Sequence, residues 1–414
     1  MTKPSDSSQT GMKIFFPCAI LTLLLNAFAL AQEPGCKLSD DGKLPPEKQA
    51  KFDALLRSTP DHAAVRYSLA MNYAQLGNTR LALDELERAL SKTPWLDPAE
   101  ESVFASLRAC NAFKKIVSRT QQKYPPISAS RIIHIIPVRD LIPEGIASDP
   151  ADGTIYVSSV YHRKILKIAP SGEISDFVST GQDGLLSVLG MKVDARDRSV
   201  WAATEFKEAS LLFHFDRNGK TLAKFSPTQP GKHLFNDLVI ASNGDVFVTD
   251  TYDSSVYKLA AGAKTLQRLD LKGRLYPNGI VFSADGKTLY VVHAYGIIRM
   301  GRDGESIAEL RAPDDISLAQ VDGLYFRKGA LIGIQNGFGL NRIVELQLSA
   351  DGTRVDAGRL LEFRSPYMEL PTTGTIYKDE LIFMVNTQID HEDSGALLHA
   401  EQLQPVRIAA LKLN

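Results

Sequence analysis

The sequence predicts a mainly β fold, a six-bladed β-propeller preceded by a small all-α helical module, and three observations carry that expectation. The first is a phrase that recurs from residue 131 onward: a pivot residue, then most often Gly, then an apolar or β-branched residue that opens a strand. Its copies are Glu144-Gly145-Ile146, Leu189-Gly190-Met191, Asn236-Asp237-Leu238, Asn278-Gly279-Ile280, Asp322-Gly323-Leu324 and Thr373-Gly374-Thr375, with successive pivots 42 to 51 residues apart. Six self-similar units of that length signal a propeller, one blade per unit. The second is a strand-forming run at matching distance after each phrase, as at Thr154–Val157, Asp245–Val248, Thr288–Val291 and Glu380–Phe383. The third is the change upstream of Tyr124, where apolar residues follow helical rather than alternating spacing.

In chain order, residues 1–31 read as an export signal. Lys13 supplies the charge, Ile14–Leu30 the apolar stretch and Ala29-Leu30-Ala31 the small-x-small cleavage site. A membrane anchor is the alternative, but that stretch is broken by Pro17 and Asn26 and falls short of the about 20 residues a spanning helix needs. The expected product is periplasmic or secreted, with no membrane association after cleavage. Cys18 leaves with the signal; Cys36 and Cys110 remain, either as a disulfide or as two buried thiols.

Residues 32–46 form a linker, and a helical module follows over residues 47–123. From Pro60 to Pro94 one unit of 34-residue spacing carries Ala70, Tyr73, Leu76-Gly77, Ala82, Leu86 and Ala89-Leu90 where a tetratricopeptide repeat would carry them. Flanking helices are expected over Glu47–Arg57 and Pro98–Gln122. One repeat is too few to bury its own faces, so the module either packs as a cap on the propeller or offers a groove to a peptide or protein partner. Pro125-Pro126 marks the boundary, and the propeller occupies residues 131–414. Arg131–Val138 is expected to complete the last blade beside Val406–Leu413, which removes an exposed sheet edge. Pairs such as Asp152-Gly153, Asn218-Gly219 and Asp285-Gly286 are turns between strands.

Pivots that open the innermost strands lie at one end of the central channel and form a ring. Four of them, Glu144, Asn236, Asn278 and Asp322, carry side-chain oxygens. Hard oxygen donors without sulfur or imidazole suit Ca²⁺ best, with Mg²⁺, Mn²⁺ and Zn²⁺ as other divalent candidates. An Asn-Gly or Asp-Gly pair alone would read as a turn; four oxygen-bearing residues in one structural column read as a metal site.

The phrases Pro143-Glu144-Gly145, Phe235-Asn236-Asp237, Pro277-Asn278-Gly279 and Val321-Asp322-Gly323 resemble the senescence marker protein/gluconolactonase/luciferin-regenerating-enzyme family, over about residues 131–414. The resemblance implies a channel-bound divalent cation coordinated by Glu144, Asn278 and Asp322, with Asn236 binding it through water or orienting substrate. Asp322 is then the candidate catalytic base or nucleophile-positioning group. It also implies a small-molecule lactone or ester substrate. Leu234 departs from the pattern, since family members acting on sugar lactones carry Arg there, and an apolar residue suits a less polar ester. His293 and His233 could reach the channel mouth; for each, a structural histidine is the alternative.

The formal net charge of −1 provides no field to attract nucleic acid. No Gly-rich phosphate loop, Gly-x-Ser-x-Gly elbow or Cys-His zinc spacing occurs, which disfavours nucleotide-driven and serine-hydrolase mechanisms. The sequence therefore points to a metal-dependent hydrolase. A non-catalytic propeller scaffold is the main alternative, and a cation-dependent sugar dehydratase or condensing enzyme a further one.

Overall fold

Alternating apolar residues between regularly spaced turns give short strands that pair in sequence order, and they build six four-stranded antiparallel sheets. The structure is a computed structural model and describes residues 35–92, 95–207, 209–338 and 341–414. The export signal expected over residues 1–31 and Cys18 lie outside the described residues. No helix among the described residues is long and apolar enough to cross a membrane.

The inner strands of blades one to six are Ile146–Ser148, Ser187–Val193, Phe235–Ile240, Ile280–Phe282, Val321–Arg327 and Gly374–Tyr377. Each contacts the next, and the sixth contacts the first, so the ring is closed. Turn glycines at the strand junctions take the left-handed conformation the turns require, as at Gly153 (φ 82°) and Gly244 (φ 93°). Blade six is a composite: Arg131–Ile136 pairs antiparallel with Val406–Lys412, matching Arg131 to Ala410 and Ile136 to Val406. Between blades, apolar side chains from facing sheets interlock. Phe213, Phe215 and Val200 pack with Ile165 and Val178, and Phe247 and Val256 pack with Val291 and Ile298.

The helical module comprises α1 (Pro46–Ser58), α2 (Ala63–Gln75), α3 (Thr79–Leu90) and α4 (Asn111–Lys123). Gly77 (φ 79°) makes the turn between α2 and α3, and the Asn78 side chain caps α3 by accepting from Leu81 N–H at 3.0 Å. Buried Ala70, Ala74, Ala82 and Ala89 allow the two helices to approach closely. The continuous helix expected over Pro98–Gln122 is instead broken: a 3₁₀ segment covers Ser102–Leu107 and α4 begins only at Asn111. The break falls at Cys110, whose extended backbone carries a disulfide to Cys36 across a sequence separation of 74.

The core of this module is not closed by its own residues. Ala319 and Phe338, from propeller loops, are buried within it beside Tyr67 and Phe104. Trp95 lies against Gly358 and Ile316 of blade five, where any larger residue than glycine would collide with the indole. Asp97 pairs with Arg364, and Glu362 Oε2 accepts from the Ala129 and Ser130 N–H groups at 2.8 and 3.0 Å. The contacting loops follow or precede the same strand ends as the pivots, so the module covers the pivot end of blades four and five.

Candidate functional site

Glycine after a pivot is required because successive inner strands pass very closely. A Cβ on Gly145 would overlap the Leu189 carbonyl, one on Gly190 would meet the Asn236 carbonyl and Asp237, and one on Gly279 would overlap the Asp322 carbonyl. The pivots are thereby drawn into one ring. Hydroxyl groups fix them: Ser158 Oγ accepts from the Glu144 and Gly145 N–H groups at 3.1 and 2.7 Å, and Thr372 and Thr373 donate to the Glu144 carbonyl at 2.8 and 2.6 Å.

Glu144 and Asp322, at the starts of the inner strands of blades one and five, are both buried and close enough for each charge to act on the other. Burial pushes the Glu144 carboxyl well above the usual range, and the charges of Asp322 and Asp237 push it further while Lys192 opposes them. Burial likewise raises Asp322 to about 7, helped by Asp237 and opposed by hydrogen bonds from the Asn336 and Asn278 amides. Asn336 Nδ2 donates to Asp322 Oδ2 at 2.6 Å. Four buried oxygens of this cluster, Glu144 Oε2, Asn278 Oδ1, Asp322 Oδ1 and Asp237 Oδ2, accept no hydrogen bond from the described residues. Buried acceptors are ordinarily satisfied, and leaving one unmade costs about 1–3 kcal/mol. Four together, all hard oxygens, fit a divalent cation of the Ca²⁺ type.

Asn236 stands beside this cluster, half-buried. Its Nδ2 donates to Thr251 Oγ1 at 3.1 Å, and Thr251 Oγ1 donates to the Pro277 carbonyl at 2.7 Å, linking the pivots of blades three and four. Leu234, two residues earlier and half-buried, has its backbone N–H donating to Asp250 Oδ1 at 3.0 Å.

The two histidines are elsewhere. His293 Nε2 lies 3.0 Å from Glu309 Oε2, on the outermost strand of blade four, so the ring points away from the channel. It lines a cleft of about 750 Å³ under the helical module together with His62, Arg274 and Tyr295. His233 is wedged between Asp250 Oδ2 at 2.6 Å and the Gln229 carbonyl at 2.8 Å. His233, Asp250 and Asp253 lie close enough to hold a metal. Their atoms are already engaged: Asp250 Oδ1 accepts from Leu234 and Asp253, and Asp253 Oδ2 from Ser255, Tyr257 and Arg268.

Three residues of the cluster are not among the pivots. Asp237, fully buried, fills the slot that glycine occupies in other blades, and the space for it is left by Gly190. Its presence in a glycine position was the available signal. Lys192, on the inner strand of blade two, reaches Asp237 Oδ1 at 2.8 Å. Asn336 arrives from the far end of the second strand of blade five and carries no local signature.

Residues 142–305 match the SMP-30/Gluconolactonase/LRE-like region. No curated protein matches the chain by sequence. Among solved structures, a gluconolactonase from Xanthomonas campestris is 19% identical, covering 69% of this chain and 96% of that one at a TM-score of 0.49. A virginiamycin B lyase from Staphylococcus aureus is 17% identical over 61% of this chain and 81% of that one, at 0.46. A luciferin-regenerating enzyme is 14% identical over 68% of this chain and 97% of that one, at 0.48.

Proposed function

We propose, on the premise that residues 142–305 match the SMP-30/Gluconolactonase/LRE-like region and that the fold is a six-bladed propeller, that the protein is an exported, divalent-cation-dependent hydrolase of a lactone or related ester. The observation that carries this reading is the set of four buried oxygens without hydrogen-bond donors at one end of the channel. Glu144, Asn278 and Asp322 would hold the cation, with Asp237 contributing charge and Asn236 contributing through water or directly. Ca²⁺ suits these donors best because it accepts many oxygen ligands with loose geometry.

When bound, such a cation polarises an ester carbonyl and makes a nearby water more acidic. The protein's own groups do the rest. Asp322, a carboxylate in the cation-bound state, takes the proton of the attacking water and returns it to the leaving alkoxide. Asn336 and Asn278 orient that carboxylate through their amides. Asn236, steadied by Thr251, is placed to orient the ester, and Leu234 beside it favours a substrate with few hydroxyl groups.

The test is hydrolysis across a panel of lactones and aryl esters. Chelation abolishes turnover, Ca²⁺ restores it, and Asp322→Ala stays inactive at saturating Ca²⁺. A blank panel from folded, Ca²⁺-saturated wild-type protein sinks the hydrolase reading.

A further inference from the structure

The helical module and the channel acids meet through three consecutive residues. Asn336 bonds Asp322 at 2.6 Å. Gly337 is pressed against the Gln320 side chain so closely that a Cβ would overlap it. Phe338 is buried in the core of the helical module, its ring centroid 4.9 Å from that of Tyr67 on α2. Phe338 also holds a left-handed backbone (φ 55°), which a bulky residue adopts only where its surroundings impose it. Its ring meets the module at Tyr67, which is wholly buried, donates to the Asp97 carbonyl at 3.2 Å and packs edge-on to Phe104.

The strand that delivers this segment is braced at its last residue, where the propeller meets the module. Gln335 Nε2 donates to the Ser317 and Ala319 carbonyls at 3.1 and 2.7 Å, and its Oε1 accepts from buried Arg342 Nε at 2.7 Å. With Gln335 fixed on one side and Phe338 on the other, Asn336 has little freedom in where its amide points. That amide occupies Asp322 Oδ2 and leaves Oδ1 as the open oxygen.

We infer that Phe338 is a positioning residue and that the helical module, through Tyr67, seats Asn336 on Asp322. The module is thus a working part of the channel site, an inference that rests on the cation-site reading above only for its consequence in catalysis. Loss of the Phe338 ring frees the segment, and Asn336 no longer restricts Asp322 to presenting one oxygen.

The experiment uses the metal-free full chain labelled with ¹⁵N-asparagine, with the Asn336 side-chain amide assigned by Asn336→Ala. A short bond to a carboxylate moves one amide proton downfield and slows its exchange. The wild type is expected to show that signal, Phe338→Ala to lose it, and Phe338→Leu to retain it. Tyr67→Leu breaks the same contact from the module side and is expected to match Phe338→Ala. An unshifted amide in the wild type, or a shifted one that survives in both contact-breaking variants, overturns the inference. Calorimetry with Ca²⁺ supplies the second readout: Phe338→Ala weakens binding about tenfold, as Asn336→Ala does, and the double variant goes no further. A wild type that binds no Ca²⁺ sinks the cation reading, while the amide comparison still decides the role of Phe338.

Discussion

Lys192 Nζ lies 2.8 Å from Asp237 Oδ1, an ion pair formed between the inner strands of two successive blades, with the carboxylate wholly buried. It balances one of three channel carboxylates. The remaining two, Glu144 and Asp322, match the charge of one divalent cation, so the site proposed for it would be neutral when filled.

Asp237→Asn is therefore expected to leave Lys192 facing the cation without compensation and to weaken Ca²⁺ binding tenfold or more, about 1.4 kcal/mol or above. Titration calorimetry at fixed pH measures it. Lys192→Met acts oppositely on stability. It strands a buried carboxylate at a cost of about 3–5 kcal/mol, and saturating Ca²⁺ recovers much of the lost melting temperature.

The raised proton affinity of Asp322 makes stability and binding depend on pH with opposite signs. Its folded-state pKa of about 7 exceeds the ordinary 3.8, so its contribution to metal-free stability is complete below the unfolded value and is lost as pH rises toward 7. Asp322→Asn should consequently stabilise the metal-free chain at pH 8, by on the order of 2 kcal/mol, and change little at pH 4. Ca²⁺ should no longer raise its melting temperature.

For the same reason cation binding must displace protons. Glu144 and Asp322 both hold theirs to higher pH than ordinary carboxylates. Ca²⁺ affinity is expected to rise with pH through neutrality. At pH 7 the binding heat should vary with the ionisation enthalpy of the buffer, and an invariant heat would count against the assignment.

The Cys36–Cys110 bridge closes a loop of 74 residues in sequence separation around α1, α2 and α3. Loop-closure entropy assigns such a bridge about 4 kcal/mol. The double Cys36→Ala/Cys110→Ala variant should lower the denaturant midpoint of the helical signal, as should reductant applied to the wild type.

The repeating phrase makes the blades legible in sequence because each strand pair is local and each pivot glycine answers one steric need. Glu144, Asn278 and Asp322 are legible for the same reason: their convergence follows from the blade count. Asp237 is marked only by standing where the pattern places glycine, which says that it differs and not what it faces. Lys192 resembles any strand lysine until the neighbouring blade supplies its partner. Asn336 depends on a path fixed by Phe338 against Tyr67, a contact between distant parts of the chain that periodicity does not encode. His293 ends the second strand of blade four and not the inner one, and Glu309 on the outer strand of its own blade draws it outward. The helix expected over Pro98–Gln122 fails at a residue whose backbone is tied by a covalent bridge.

The pairing of Arg131–Ile136 with Val406–Lys412 also sets an order on biosynthesis. A ribosome delivers the first of these strands long before the second, so the torus stays open until the last few residues have been made. Until then the earliest strand waits without its partner, and deleting residues 406–414 should abolish the ring rather than shorten it.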